Sequence, residues 1–235
     1  MLVSLKRRKI PAYYPALCWQ RVRDCRDRRL RALSAVNQMA RTANPRGSTP
    51  LNQYWEARRD SLYLQYVDFL VRVVARDAKS IVDVGSNGCS YLEWFNWIPR
   101  KVSIDINRPY RSRRVRGKKM DFLDYGDGRR FDLCLSLQVL EHISDVKVFA
   151  EKLLQSAGHL IICVPYRWPA GANPSHVHDP VDRKKLTTWF GRKPNYEIIV
   201  TEPITNKRRL ICYYDCDDPS RELGLSDLKT RIMRS

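Results

Sequence analysis

The feature that most constrains the fold is one ten-residue stretch, Ser80-Ile81-Val82-Asp83-Val84-Gly85-Ser86-Asn87-Gly88-Cys89. A short apolar run rich in β-branched residues ends at two glycines. Apolar residues then recur at Tyr91, Leu92, Trp94, Phe95 and Ile98. Four apolar residues suit a buried strand better than a helix, and the later spacing is helical. A strand, a tight turn and a helix are therefore expected. Glycine admits positive φ and lets a ligand approach the backbone. The turn delivers free N–H groups at a helix start, where an anionic group is stabilised. The spacing departs from G-x-G-x-x-G, so a nicotinamide cofactor is not the natural reading. An ordinary strand–turn–helix corner is the alternative at this point.

The rest of the chain repeats the alternation. Val102 to Asp105 reads as a second strand ending in an acid, 22 residues after Asp83, where α/β nucleotide sites place the carboxylate that accepts ribose hydroxyls. Asn107 to Lys119 holds seven Arg and Lys and no acid, which fits a phosphate-facing patch or a solvated loop. Lys119 to Phe122 is expected to be the third strand and the turn after it. Phe131 to Leu137 is the fourth, followed by a turn into a helix reaching Leu153, and His159 to Val164 is the fifth. Glu197 to Thr201 and Arg209 to Tyr214 flank a turn and form an antiparallel hairpin. The expected fold is α/β: a Rossmann-like doubly wound sheet of seven strands, mostly parallel with the last antiparallel, plus N-terminal helices.

Charge divides the chain. It carries 43 Lys and Arg against 25 Asp and Glu, a formal +18. Residues 1–50 hold twelve of the former and two of the latter, a local +10. The expected domains are a basic extension over 1–50 with an amphipathic helix from Cys18 to about Met39, a domain over 51–216 with a helix from about Leu51 to Arg76, and a tail over 217–235. Such a field draws polyanions: RNA, acidic glycan or an anionic membrane face, with a solvated segment as the plain alternative. Seven scattered cysteines, with no C-x-x-C pair, support neither a disulfide framework nor a zinc site. With no membrane-length apolar run and no signal peptide, the expected location is cytoplasmic, with peripheral contact at the inner membrane face as an extension.

The run Phe-Asp-Leu-Cys-Leu-Ser-Leu-Gln-Val-Leu-Glu-His-Ile, from Phe131 to Ile143, resembles the fourth-strand motif of class I S-adenosylmethionine-dependent methyltransferases of the bacterial V-L-E-H type. The first loop resembles their D-x-G-x-G-x-G pattern, with Asn87 and Cys89 replacing two glycines and Gly88 one place off. The resemblance covers about residues 60–215. It implies a sheet ordered 3-2-1-4-5-7-6 and S-adenosyl-L-methionine as cofactor, lying across the carboxyl ends of strands 1, 2 and 4. Asp83, Gly85 and Gly88, with Ser86 and Asn87 in the same loop, would hold the methionine end. Asp105 with Ile106 would take the ribose, and Asp121 with Phe122 the adenine. Ser136 and Gln138 would face the sulfonium.

For the acceptor, two groups of residues qualify: Glu141 with His142, and His176, His178 and Asp179 in the long loop Pro165–Pro180, which resembles an acceptor lid. A hydroxyl acceptor needs its proton removed, so a base helps. His-x-His-Asp could also hold a metal, but no metal is assigned, because one local cluster is thin support. A structural role, with His178 capping a helix near Asp182, stands beside the catalytic one. The stretch Pro165 to Tyr214 resembles uncharacterised bacterial methyltransferases, and that resemblance implies O-methylation of sugars or small metabolites. The resulting expectation is an enzyme methylating a sugar, surface glycan or small metabolite. RNA methylation guided by the basic segment is the alternative, and a non-catalytic scaffold of the same fold is a third.

Overall fold

The computed structural model describes residues 55–56, 58–126 and 128–229. The basic extension and its amphipathic helix lie outside the described residues. α1 (Leu62–Val74) starts after Ser61 and buries a stripe of Leu64, Val67, Leu70, Val71 and Val74. Within the helix expected from about Leu51 to Arg76, the described residues form a turn at 58–60 and then α1; residues 51–54 and 57 lie outside the described residues. The N-terminus of α1 is capped from across the chain: the Leu62 and Tyr63 N–H groups donate to the two carboxylate oxygens of Glu202, each at 3.1 Å.

Seven strands follow: β1 (Ser80–Val84), β2 (Arg100–Asp105), β3 (Val115–Lys119), β4 (Phe131–Leu137), β5 (Ala157–Pro165), β6 (Tyr196–Thr201) and β7 (Arg208–Asp215). They form one sheet in the order β3-β2-β1-β4-β5-β7-β6. β1 to β5 are parallel, while β7 runs antiparallel to both β5 and β6. β1 is buried along its whole length, as its unbroken apolar character requires of a strand covered on both faces. α2 (Val146–Ser156) and α3 (Arg183–Phe190) pack with Phe149, Leu153, Leu186 and Phe190 in the core on one face. α1 covers the other face with Phe95 and Ile98. A short α4 (Leu225–Lys229) ends the described chain.

Two expectations are corrected. The third strand is Val115–Lys119, inside the run read as a basic loop. As an edge strand it buries Val115 and leaves its cations mostly exposed, so it lacks an apolar signature and carries the charges that discourage edge pairing. The segment after the glycine turn is a single 3-10 turn, Tyr91–Trp94, and not a full helix. Tyr91 and Leu92 are buried in it, and Trp94 is partly buried. Tyr91 is tied to Asp83, and the Trp97 indole donates to the Ala75 carbonyl (3.0 Å). These two anchors hold a compact crossover in place.

Candidate active site

The site lies at the carboxyl ends of β1, β2 and β4, where the strand order reverses between β1 and β4. After β1 the backbone turns through left-handed conformations at Gly85 (φ 80°), Asn87 (φ 44°) and Gly88 (φ 75°). Asparagine tolerates that region, which accounts for Asn87 standing at a glycine position. Gly85 is needed for space as well: a Cβ there would stand 2.4 Å from Cγ2 of Val139, in the turn after β4. The Trp55 indole donates to the Asn87 carbonyl (3.0 Å) and pins the outside of the loop. Ser86 faces inward. Its hydroxyl accepts from the Ser103 hydroxyl (2.8 Å) and the Tyr110 N–H (3.3 Å), which leaves only its backbone for a ligand.

Asp105 closes the loop from β2. Its carboxylate accepts the N–H groups of Asn87 (2.8 Å), Asn107 (2.8 Å) and Arg108 (2.7 Å). About four acceptor positions exist on a carboxylate, so capacity for a further donor remains. Ile106, next along, is 62% exposed and offers a flat apolar surface at the rim. Asp121 accepts the Leu123 N–H (2.8 Å) and starts the turn after β3. The Phe122 ring does not face the rim: it is buried edge-on against Phe149, centroids 5.3 Å apart. The apolar side chains open at this end are Ile106 and Leu123 instead.

Two polar groups on the inner wall, Asp83 and Ser136, have unmet bonding capacity among the described residues, and Gln138 stands beside them in a strained conformation. Asp83 is buried; one carboxylate oxygen accepts from the Tyr91 hydroxyl and the other has no partner. Burial pushes its pKa up to about 7, with Tyr91 pulling it down and Asp105 pushing it up. The Ser136 hydroxyl, at the end of β4, is buried without a partner. Gln138 takes φ 60° and is held there by donating its N–H to the Cys163 carbonyl (2.7 Å). Non-glycine residues in that region cost energy and concentrate at functional sites.

Beside this wall the acceptor candidates converge. Glu141 is fully buried with neither carboxylate oxygen partnered, and burial raises its pKa to about 8. The Val177 N–H donates to the Glu141 carbonyl (2.9 Å), which ties the long loop to this turn. His142 donates from Nδ1 to the Ser175 carbonyl (2.9 Å), and its ring meets that of His176 edge-on at 4.8 Å. His176 donates from Nδ1 to Asp179 (2.6 Å) and stacks on Trp168. His178 points elsewhere: its Nε2 donates to the Ile143 carbonyl (2.7 Å) and its ring packs on Trp189. The cap of α3 is Asp182, which accepts the Lys185 N–H (2.9 Å), so His178 anchors the loop, as the structural reading expects, but does not cap the helix. Sequence reasoning missed Arg209. It is buried between Tyr63 and Trp168, and its Nε and Nη1 lack hydrogen-bond partners among the described residues. The signal was an arginine opening the apolar run of β7.

No family model matches the sequence, and no curated protein matches it. Solved structures do match. The N-methyltransferase NodS from Bradyrhizobium japonicum WM9, in complex with S-adenosyl-L-homocysteine, superimposes with a TM-score of 0.55 at 13% identity, over 69% of this chain and 91% of that one. The chain has the class I methyltransferase fold. The 1,6-didemethyltoxoflavin-N1-methyltransferase of Burkholderia thailandensis, with 1,6-didemethyltoxoflavin and S-adenosylhomocysteine bound, gives a TM-score of 0.51 at 14% identity, over 72% and 92% of the two chains. In the class I methyltransferase fold seen here, the loop after β1 and the turn after β4 touch through Gly85 and Val139.

Proposed function

We propose that this chain is an S-adenosylmethionine-dependent methyltransferase acting on a hydroxyl of a sugar, surface glycan or small metabolite. The observation that carries the reading is the wall formed by Asp83, Ser136 and Gln138 between the glycine turn and the Glu141–His142–His176 group. The loop N–H groups, Asp83 and Asp105 offer the donors and acceptors that a methionine moiety and a ribose need. In this reading Glu141, His142 and His176, gathered within 4.8 Å of one another, are the groups that align the acceptor with the methyl group. Methyl transfer to an activated carbon is mainly a matter of such alignment, worth roughly 7–11 kcal/mol when geometry is right. Two matched structures carry the demethylated cofactor, which supports the choice of cofactor.

A second reading rests on a separate observation. Arg100, Lys101, Arg113, Arg114, Arg116 and Lys118 line an open groove along the β2–β3 edge, a surface that suits a phosphodiester chain. One experiment separates the two. Purified protein and methyl-labelled cofactor are incubated with fractionated cell extract, with and without ribonuclease. Label in nuclease-resistant glycan or small molecules is the expected result. Label that ribonuclease releases would transfer the reading to RNA. No label together with no binding of S-adenosylhomocysteine would end both.

A further inference from the structure

A fully buried carboxylate with no partner is costly, and Glu141 is the most complete case among the described residues, with both oxygens unmet. It does not stand alone. One ligand atom each from Glu141, His142 and His176 lies within 4.8 Å of the other two, and Nε2 of His142 is 4.0 Å from Oε1 of Glu141. The two imidazoles are prepared in the same way. His142 gives its Nδ1 proton to the Ser175 carbonyl, which leaves Nε2 with a free lone pair toward Glu141. His176 gives its Nδ1 proton to Asp179, a carboxylate–histidine pair of the kind that orients metal ligands and raises their basicity. The Asn173 side-chain amide now donates to Nε2 of His176 (3.1 Å), and a bound cation would displace it. Nearby charge comprises the Asp179 carboxylate and the Arg209 guanidinium, which act on Glu141 in opposite senses.

We propose that Glu141, His142 and His176 bind a divalent first-row transition-metal ion beside the cofactor loop, leaving open positions for acceptor oxygens. Two imidazoles and one carboxylate favour zinc, manganese, iron or cobalt over magnesium or calcium, which prefer all-oxygen sites. Ligand bonds of about 2.0–2.2 Å require the three side chains to close in by about 1 Å. Because the ligands come from the turn after β4 and from the long loop, the ion would clamp that loop onto the sheet. The statement about acceptor oxygens rests on the methyltransferase reading; binding of the ion does not.

The test is a cobalt(II) titration of the chelator-treated full chain, followed by visible absorption and calorimetry. S-adenosylhomocysteine binding is measured in the same samples. One saturating equivalent of cobalt is expected. Glu141→Gln and His176→Ala should each weaken it at least roughly tenfold, and Asp179→Asn, which removes a positioning contact, should weaken it about 10–100-fold. His142→Ala guards against misfolding, because that side chain is already 36% exposed. Cobalt that does not saturate, or that binds equally well to all four variants, overturns the proposal. Failure of cobalt with the nucleoside product still bound removes the metal site alone. Cobalt binding without nucleoside binding removes the cofactor reading alone.

Discussion

Asp83 shows how a single residue trades stability for readiness. Its pKa is near 7 in the folded chain against an ordinary 3.8. The native state therefore keeps a proton that the unfolded chain loses, and stability should fall as pH rises from about 4 to about 7, then level off. With about 1.4 kcal/mol per unit, the cost at full ionisation is on the order of 4 kcal/mol. Asp83→Asn should flatten the profile across that window in chemical denaturation; an unchanged slope would show that the carboxyl is ionised throughout. Asp105 is held differently: its carboxylate accepts three backbone N–H groups and keeps room for one further donor. Asp105→Ala should abolish binding of S-adenosylhomocysteine and also destabilise the fold by about 1–3 kcal/mol. Loss of binding with no change in stability would mean that the three contacts are not made. Residue roles were only partly legible beforehand. The place of Asp105 at a strand end was readable from spacing and that of Asp83 beside the glycine turn from the motif, whereas the inward turn of Ser86, the buried Phe122 ring and the loop-anchoring His178 depend on tertiary partners that no spacing encodes.

Among the elements, the contact between the glycine turn and the turn after β4 is the most specific. Gly85→Ala meets both a left-handed backbone and the stiff, branched Val139. A loss of about 2–3 kcal/mol is expected. The double variant Gly85→Ala with Val139→Ala should recover the steric share and keep about 1–2 kcal/mol of backbone cost. Simple additivity in denaturation midpoints would refute the contact. β1, β2, β4, β5 and the β6–β7 hairpin were legible because their patterns and turns match buried or paired strands. β3 was misplaced because an edge strand made of Arg, Gly and Lys carries no apolar period. The 3-10 crossover was misread because its apolar spacing satisfies either helix type over one turn.

For the molecule as a whole, the sheet order places every site residue at one end, and ligand binding should be felt globally. S-adenosylhomocysteine at about 100 times its dissociation constant adds about 2.7 kcal/mol. For a domain of this size that corresponds to a rise of about 5–10 °C in Tm. A scan without a shift would count against the cofactor reading. The Glu202 cap has a different consequence, one of timing. The two N–H groups it satisfies lie 140 and 139 residues earlier in the chain. At about 5–20 residues per second, the ribosome needs roughly 7–28 s to supply that cap after the helix has been made. Throughout that interval α1 also lacks β7, which contributes Ile211 and Tyr213 to the core beneath it. The first described helix is thus among the last pieces to be secured, and its apolar face is the surface a nascent-chain chaperone would meet.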